Sequence, residues 1–194
     1  MLDIKDVSIG ILAGGKATRM QNQDKGLVNA KGKPLVENIL NKISAHTSNI
    51  FINANRNIDK YKKYNYPVVK DIFDDFQGPL SGIYSMLKKI DTKYLISVPC
   101  DCPNFDWYVI KKIINDADKS NELCIAHNTV RSQPVFMLVS ISKIKSLYEF
   151  LYNGDRKIDI WYQNNNHKYI YFDKNDNYFE NINTIEQLNE YNKS

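Results

Sequence analysis

At 194 residues, with 43% hydrophobic and 25% charged side chains, the chain suits one soluble domain with a sizeable core and leaves little for a second. Its formal net charge of +4 permits an anionic substrate, but no long Lys/Arg block accompanies it, so no nucleic-acid partner is expected. No apolar run could span a bilayer, the opening MLDIKDVS lacks a signal-like segment, and Cys100, Cys102 and Cys124 cannot all pair, so a cytoplasmic, reduced protein without a membrane partner is expected.

The chain is organised around residues 7–35, VSIGILAGGKATRMQNQDKGLVNAKGKPL. Ile9, Ile11 and Leu12 fit a buried strand, and Ala13, Gly14 and Gly15 let the backbone turn close to a ligand. Lys16, Arg19 and Lys25 add positive charge, and Pro34 stands where a helix begins. A strand, a small-residue loop with cations and a helix start together suggest a phosphate site. The alternative is an ordinary strand-to-helix turn with solvated lysines.

Helical spacing of Leu35, Ile39, Leu40 and Ile43 predicts a helix over 34–45. A strand at 50–54, a polar helix at 57–64 and a brief strand at 67–69 come next. An acidic loop leads to Gly78-Pro79 and a second amphipathic helix through Ile90. Tyr94–Val98 is the next strand, ending in PCDCP at 99–103, and a third helix covers about 104–117. Strands are expected at 122–126 and 134–139, helices near 142–152 and 156–163, and a polar hairpin-like region over 168–180. Thr184 and Gln187 offer a capping box for a final helix. Short unpatterned apolar runs alternating with helices argue for an α/β fold with a mainly parallel sheet covered on both faces. Ligands bind such sheets beyond the carboxyl ends of the strands, where the glycine loop, Asn53, Asp71 and Asp101 all fall.

The glycine loop is neither a P-loop nor a dinucleotide fingerprint, which weakens kinase and dehydrogenase readings. Arg19 offers a planar fork for phosphate oxygens and Lys25 a compact charge. Asp101 is the candidate ligand for Mg²⁺, which is commonly held by one or two carboxylates plus substrate phosphates; the alternative is a cap for the helix beginning near Asn104. Cys100 and Cys102 read as packing residues, since the other ligands of a zinc site are missing. Asp71 either accepts from a ribose or base or is a solvated loop charge, and Asn53 either bonds a ribose or ends its strand. Asn181 and Asn183 precede the last helix, and Arg156 and Lys157 come after a turn at Gly154; capping or surface chemistry is the alternative for each. No Ser, His and Asp suggest a nucleophilic triad.

LAGGKATRMQNQDKGL at 12–27 resembles the signature of nucleotidyltransferases that activate small molecules with a nucleoside triphosphate, and in particular the molybdenum cofactor guanylyltransferases. NAN at 53–55, Asp71, GPLSGI at 78–83, PCDCP, Gln133-Pro134, GDRK at 154–157 and NINT at 181–184 extend the resemblance over nearly the whole chain. It implies a single-domain, three-layer α/β/α Rossmann-like fold with an antiparallel addition in the C-terminal half. A GTP-binding part would span about residues 1–103 and an acceptor-binding part about 104–194.

The implied activity is transfer of GMP from GTP to the terminal phosphate of molybdopterin carrying molybdenum, with Mg²⁺, releasing pyrophosphate. By that resemblance Leu12, Ala13 and Gly14 would lie against guanine, and Gly14 and Gly15 would begin the phosphate loop. Arg19 and Lys25 would hold the triphosphate, Asn53 and Asp71 the nucleoside, and Asp101 the Mg²⁺. Gln133, Arg156, Lys157, Asn181 and Asn183 would face the acceptor. Molybdenum-cofactor assembly proteins and apo-oxidoreductases are the implied transient partners. Gln21 and Asn22 depart from the family's glycines, and Asn183 stands where sugar-nucleotide relatives use a second aspartate. The alternatives are a cytidylyltransferase for the same cofactor, a sugar- or alcohol-phosphate nucleotidyltransferase, and a non-catalytic carrier of the cofactor.

Overall fold

The computed structural model describes residues 1–15, 23–73, 78–174 and 176–193, so Lys16, Arg19, Gln21 and Asn22 lie outside the described residues. β1 (Val7–Leu12) is buried along almost its whole length. Beyond the loop, β2 (Asn29–Ala30) and β3 (Lys33–Pro34) form a short antiparallel pair. Pro34 does not open the next helix, as its sequence position suggests, but precedes it in extended backbone with φ −54° and ψ 143°. Its ring-fixed φ serves either role, and only ψ separates them.

Helix α1 (Leu35–Ile43) buries Leu35, Val36, Ile39, Leu40 and Ile43, the stripe its 3.6-residue spacing predicts. β4 (Ile50–Asn53), α2 (Ile58–Lys62) and β5 (Val68–Val69) come after it. α3 (Pro79–Leu87) begins with Pro at its first turn after Gly78, whose φ of +79° suits a residue without Cβ. β6 (Tyr94–Pro99) is buried at every position. α4 (Trp107–Asp116) is capped by the Asp106 carboxylate, which accepts from the Tyr108 N–H. β7 (Leu123–His127) and β8 (Ser132–Ser140) form an antiparallel pair. α5 (Ile144–Tyr152), α6 (Ile158–Gln163), β9 (Lys168–Tyr171) and α7 (Ile185–Lys193) complete the order.

Residues 168–180 are not a hairpin. β9 is a single strand that pairs in parallel with β7, and a short 3₁₀ turn at Asn177–Phe179 comes after it. The expected capping box is present: the Gln187 N–H donates to Thr184 Oγ1 at 3.2 Å, and Gln187 Oε1 accepts from the Thr184 N–H at 3.2 Å.

Among the described residues, seven of the nine strands form one sheet in the order β5-β4-β1-β6-β8-β7-β9. All neighbours are parallel except β8, which runs against both β6 and β7. The fold is therefore a single-domain α/β/α Rossmann-like architecture with a mainly parallel sheet and an antiparallel insertion. One face packs Val36, Ile39, Ile43, Tyr61, Ile110 and Ile113 of α1, α2 and α4 against Ile9, Ile11, Ile96 and Val98. The other packs Leu80, Ile83, Leu147, Leu151 and Trp161 of α3, α5 and α6 against Leu95, Met137 and Val139. Alternate residues of one strand thus feed opposite layers, which explains why these strands read as unbroken apolar runs.

From β1 the chain moves outward to β4 and β5 and then crosses to β6 on β1's other side, so a topological switch point lies at β1. Leu12 is in register with Asn53 on one side and Pro99 on the other. Among the described residues no helix is long and apolar enough to cross a membrane.

Candidate active site

The register sets the site's geometry. Pairing of Leu12 with Asn53 and Pro99, and of Asn53 with Val69, delivers the glycine loop, Asn53, Asp71 and Asp101 to one edge of the sheet. The ladder continues just past the strands, with the Ala13 N–H donating to Asn53 O at 2.9 Å and the Cys100 N–H to Leu12 O at 3.1 Å. Above this edge lies a cavity of about 480 Å³. Leu12, Ala13, Gly14, Gly15, Lys25, Asn53, Asp71 and Asp101 all line it, together with Asn181. Every nucleotide-side residue singled out from the sequence and lying among the described residues is therefore here. Pro79, Pro99 and Val135 add apolar surface suited to a ring.

On the β4–β5 side the polar groups are tightly interlocked. Asp71 Oδ1 accepts from Asn53 Nδ2 at 2.7 Å, and Oδ2 accepts from Asn55 Nδ2 at 2.9 Å. Asn55 Oδ1 in turn accepts the Asp71 backbone N–H at 2.9 Å, and Asn53 Nδ2 also reaches Val69 O at 3.1 Å. Asp71 is thus a fixed acceptor with lone pairs left over, rather than a solvated loop charge. Asn55 belongs to this framework, although sequence alone put weight only on Asn53.

A close approach makes that framework possible. A Cβ on Gly82 of α3 would fall on the Asn53 side chain, 2.7 Å from its Cγ, and 2.7 Å from Leu12 Cδ2. Gly82→Ala is expected to destabilise the fold by about 1–3 kcal/mol through overpacking. Because it displaces two cavity-lining side chains, it is also expected to weaken ligand binding in the cavity, which titration with a nucleoside triphosphate at a temperature well below melting would read.

On the β6 side, Lys25 Nζ donates to Asp101 Oδ2 and to Asn183 Oδ1, the latter at 2.6 Å. Asn181 Nδ2 approaches the same carboxylate oxygen at 3.4 Å, and the Ile182 N–H donates to Asp101 O at 2.8 Å. Asp101 does not cap α4, since Asp106 does. Among the described residues its other oxygen, Oδ1, accepts only from the Cys102 thiol at 3.9 Å, a weak contact. Burial, reinforced by the Asp101 charge, pushes both neighbouring thiols, Cys100 and Cys102, well above the usual thiol range. They are packed thiols rather than thiolate ligands. Burial likewise pushes Cys124 up to about 12.

A second, more open cleft of about 760 Å³ shares Asn181 with the cavity. Asn183, Arg131 and Gln187 line it, beside Glu180 and Tyr191. Arg131 drew no attention in the sequence because it sits in an ordinary turn, its N–H bonded to Asn128 Oδ1 at 3.0 Å. The remaining acceptor-side residues stand elsewhere. Gln133 lies in β8 opposite Ala126, at a register shift. The Arg156 guanidinium closes α5 by donating to Leu151 O at 2.7 Å and Asp155 O at 2.5 Å, while its backbone oxygen lies near Gly78 at the cavity mouth. Lys157 is exposed at the start of α6. Arg19 lies outside the described residues.

Residues 9–168 match the model of the MobA-like NTP transferase domain. A molybdenum cofactor guanylyltransferase of Vibrio campbellii is 38% identical over 191 residues, covering 98% of this chain and 97% of that protein. One of Vibrio atlanticus is 40% identical over 181 residues, covering 93% of each. Among solved structures, the molybdopterin-guanine dinucleotide biosynthesis protein A of Archaeoglobus fulgidus superposes with a TM-score of 0.81 at 22% identity, covering 96% of this chain and 97% of that one. The chain belongs to the MobA-like NTP transferases, in the molybdenum cofactor guanylyltransferase family.

Proposed function

We propose that this chain transfers GMP from GTP to molybdopterin, forming the guanine dinucleotide form of the cofactor and pyrophosphate, with the cavity as the GTP site and the adjoining cleft as the acceptor site. The observation that carries the assignment of sites is the convergence of Lys25, Asp101 and Asn183 at the wall shared by the two spaces. In this reading the guanine and ribose lie over Leu12, Ala13 and Gly14, with Asn53 and Asp71 accepting or donating at the nucleoside. Gly14 and Gly15 open the phosphate loop, and Lys25 with Arg19 supplies positive charge. Asn181, Asn183 and Arg131 face the acceptor, whereas Gln133, Arg156 and Lys157 lie outside the lining of the cleft.

The reaction is an in-line displacement. A terminal phosphate oxygen of the acceptor attacks the α-phosphorus of GTP, the new P–O bond forms, and the bond to the β-phosphate oxygen breaks. A phosphate monoester is already mostly ionised near neutral pH, so no general base is needed. The obstacle is charge, because two polyanions meet while negative charge grows on the departing pyrophosphate. Fixed donors relieve it by holding the reactants in line and by opposing that charge.

The donor set fits a hard divalent cation. Asp101 offers a carboxylate with one lightly engaged oxygen, and Asn183 Oδ1 shares the Lys25 ammonium with that carboxylate, while Asn181 turns its amide nitrogen toward it. Mg²⁺ there would be held by Asp101 and phosphate oxygens, and would neutralise phosphate charge. Lys25, which donates to Asp101, would then direct its ammonium to the triphosphate.

Incubation of the chain with labelled GTP, Mg²⁺ and molybdopterin, then separation of pterin dinucleotide from free nucleotide, tests the assignment. Turnover with GTP well above that with CTP or ATP is expected. A preference for CTP would move the chain to the cytidylyltransferases, and binding of pterin without pyrophosphate release would make it a carrier.

A further inference from the structure

Beneath the cavity lies a second polar cluster that guanylyl transfer, as described, does not use. Asp24 is only 8% exposed. Its Oδ1 accepts from Tyr61 Oη at 2.5 Å, its Oδ2 accepts from Asn57 Nδ2 at 3.0 Å, and Arg56 Nε lies 3.9 Å from Oδ2. Tyr61, in α2, is fully buried, and burial keeps its hydroxyl far above the usual phenol range, so it remains a donor. Arg56 extends from the end of β4 and donates through Nη2 to Gly15 O at 3.1 Å and Gln23 O at 2.9 Å. One guanidinium thus ties the backbone on both sides of residues 16–22.

Lys25 sits between two residues docked on the same tyrosine. Asp24 accepts its hydroxyl hydrogen bond, and Gly26 packs so close that a Cβ there would fall 2.5 Å from Tyr61 Oη. From that root the lysine side chain reaches across to Asp101 and Asn183. A lysine stem is flexible and has many rotamers, so its base must be fixed if the ammonium is to be held before the reaction.

We propose that Asp24, Arg56 and Tyr61 are positioning residues for guanylyl transfer, a buried post that aims the Lys25 ammonium at the triphosphate. The inference rests on the role given to Lys25 above. It also explains why a carboxylate stands among buried groups at this point, since it meets Arg56, Asn57 and Tyr61 at once.

A double-mutant cycle with labelled GTP tests it. Tyr61→Phe keeps the buried ring and removes one oxygen. kcat, KM for GTP and melting temperature are measured for the wild type, Tyr61→Phe, Lys25→Ala and the double variant, well below every melting point. With Lys25 present, Tyr61→Phe is expected to lower kcat/KM roughly tenfold, mostly in kcat, as slight misplacement of a charge-stabilising group does. In the Lys25→Ala background the same change is expected to cost less than about twofold, because the group being aimed is gone.

Equal losses in the two backgrounds, in a chain whose turnover depends on Lys25, would overturn this inference and leave the functional reading standing. A Lys25→Ala chain as active as wild type would overturn both. Asp24→Asn, which preserves volume, carries the same cycle with the same expected pattern if Tyr61→Phe does not accumulate folded.

Discussion

Replacing Lys25 with alanine is expected to lower the kcat of guanylyl transfer by about 10²–10³-fold, on the order of 3–4 kcal/mol, the range measured when one preorganised donor is taken from an anionic transition state. Lys25 is 17% exposed at its side chain and Asp101 13%, so the ammonium acts where water competes little. It already holds two partners, Asp101 in the lining of the cavity and Asn183 in the lining of the cleft. Its ammonium has only to turn from Asp101 to the phosphates once a cation takes that carboxylate, rather than be gathered from solvent as charge moves onto pyrophosphate. Asp101→Asn should cost a comparable factor, because an amide keeps the volume but supplies no charge to a divalent cation. Since the two side chains touch, the double variant should lose much less than the product of the single losses. Measurement at saturating GTP, with melting temperature as the control for folding, checks all three. Unchanged turnover in Lys25→Ala would remove the assignment of the site.

The gathering of Gly14, Asn53, Asp71 and Asp101 around one cavity was legible in the sequence, and the reason is topological. In a parallel sheet the carboxyl ends of strands collect on one edge, so apolar runs that stop at Leu12, Asn53, Val69 and Pro99 must bring their succeeding loops together. The adjoining cleft was harder to read. Asn181 and Asn183 arrive through a segment with no strand of its own, held by the backbone bond from Ile182 to Asp101 and by packing of Ile182 on Val28, Ala30 and Leu35. Arg131 carries no local signature at all. Nor did the sequence disclose the Asp24–Tyr61 bond, because it joins residues 37 positions apart and neither type is unusual where it stands. The apparent hairpin at 168–180 failed for a related reason. Polar spacing with a turn cannot tell whether a strand pairs with its neighbour in sequence or crosses to β7, as β9 does.

The largest expected loss of stability belongs to Trp161, far from the chemistry. It is the largest fully buried side chain and is 1% exposed. From α6 it packs in the layer formed by Leu147 and Leu151 of α5, Leu80 and Ile83 of α3, and Met137 and Val139 of the sheet. Trp161→Ala removes that contact and leaves a cavity, so a cost of about 3–5 kcal/mol is expected, or roughly 6–20 °C in melting temperature for a chain of this size. Its indole N–H is buried with no hydrogen-bond partner among the described residues. Trp161→Phe should therefore cost much less than the lost volume suggests, about 1–2 kcal/mol, because removing an orphaned donor returns part of the transfer loss. Calorimetry on the two variants separates these terms. Because Trp161 lines neither the cavity nor the cleft, both variants should keep the wild-type KM for GTP at temperatures where they remain folded. A change in KM there would mean that the α5–α6 layer is coupled to the nucleotide site, through Arg156 and its backbone approach to Gly78.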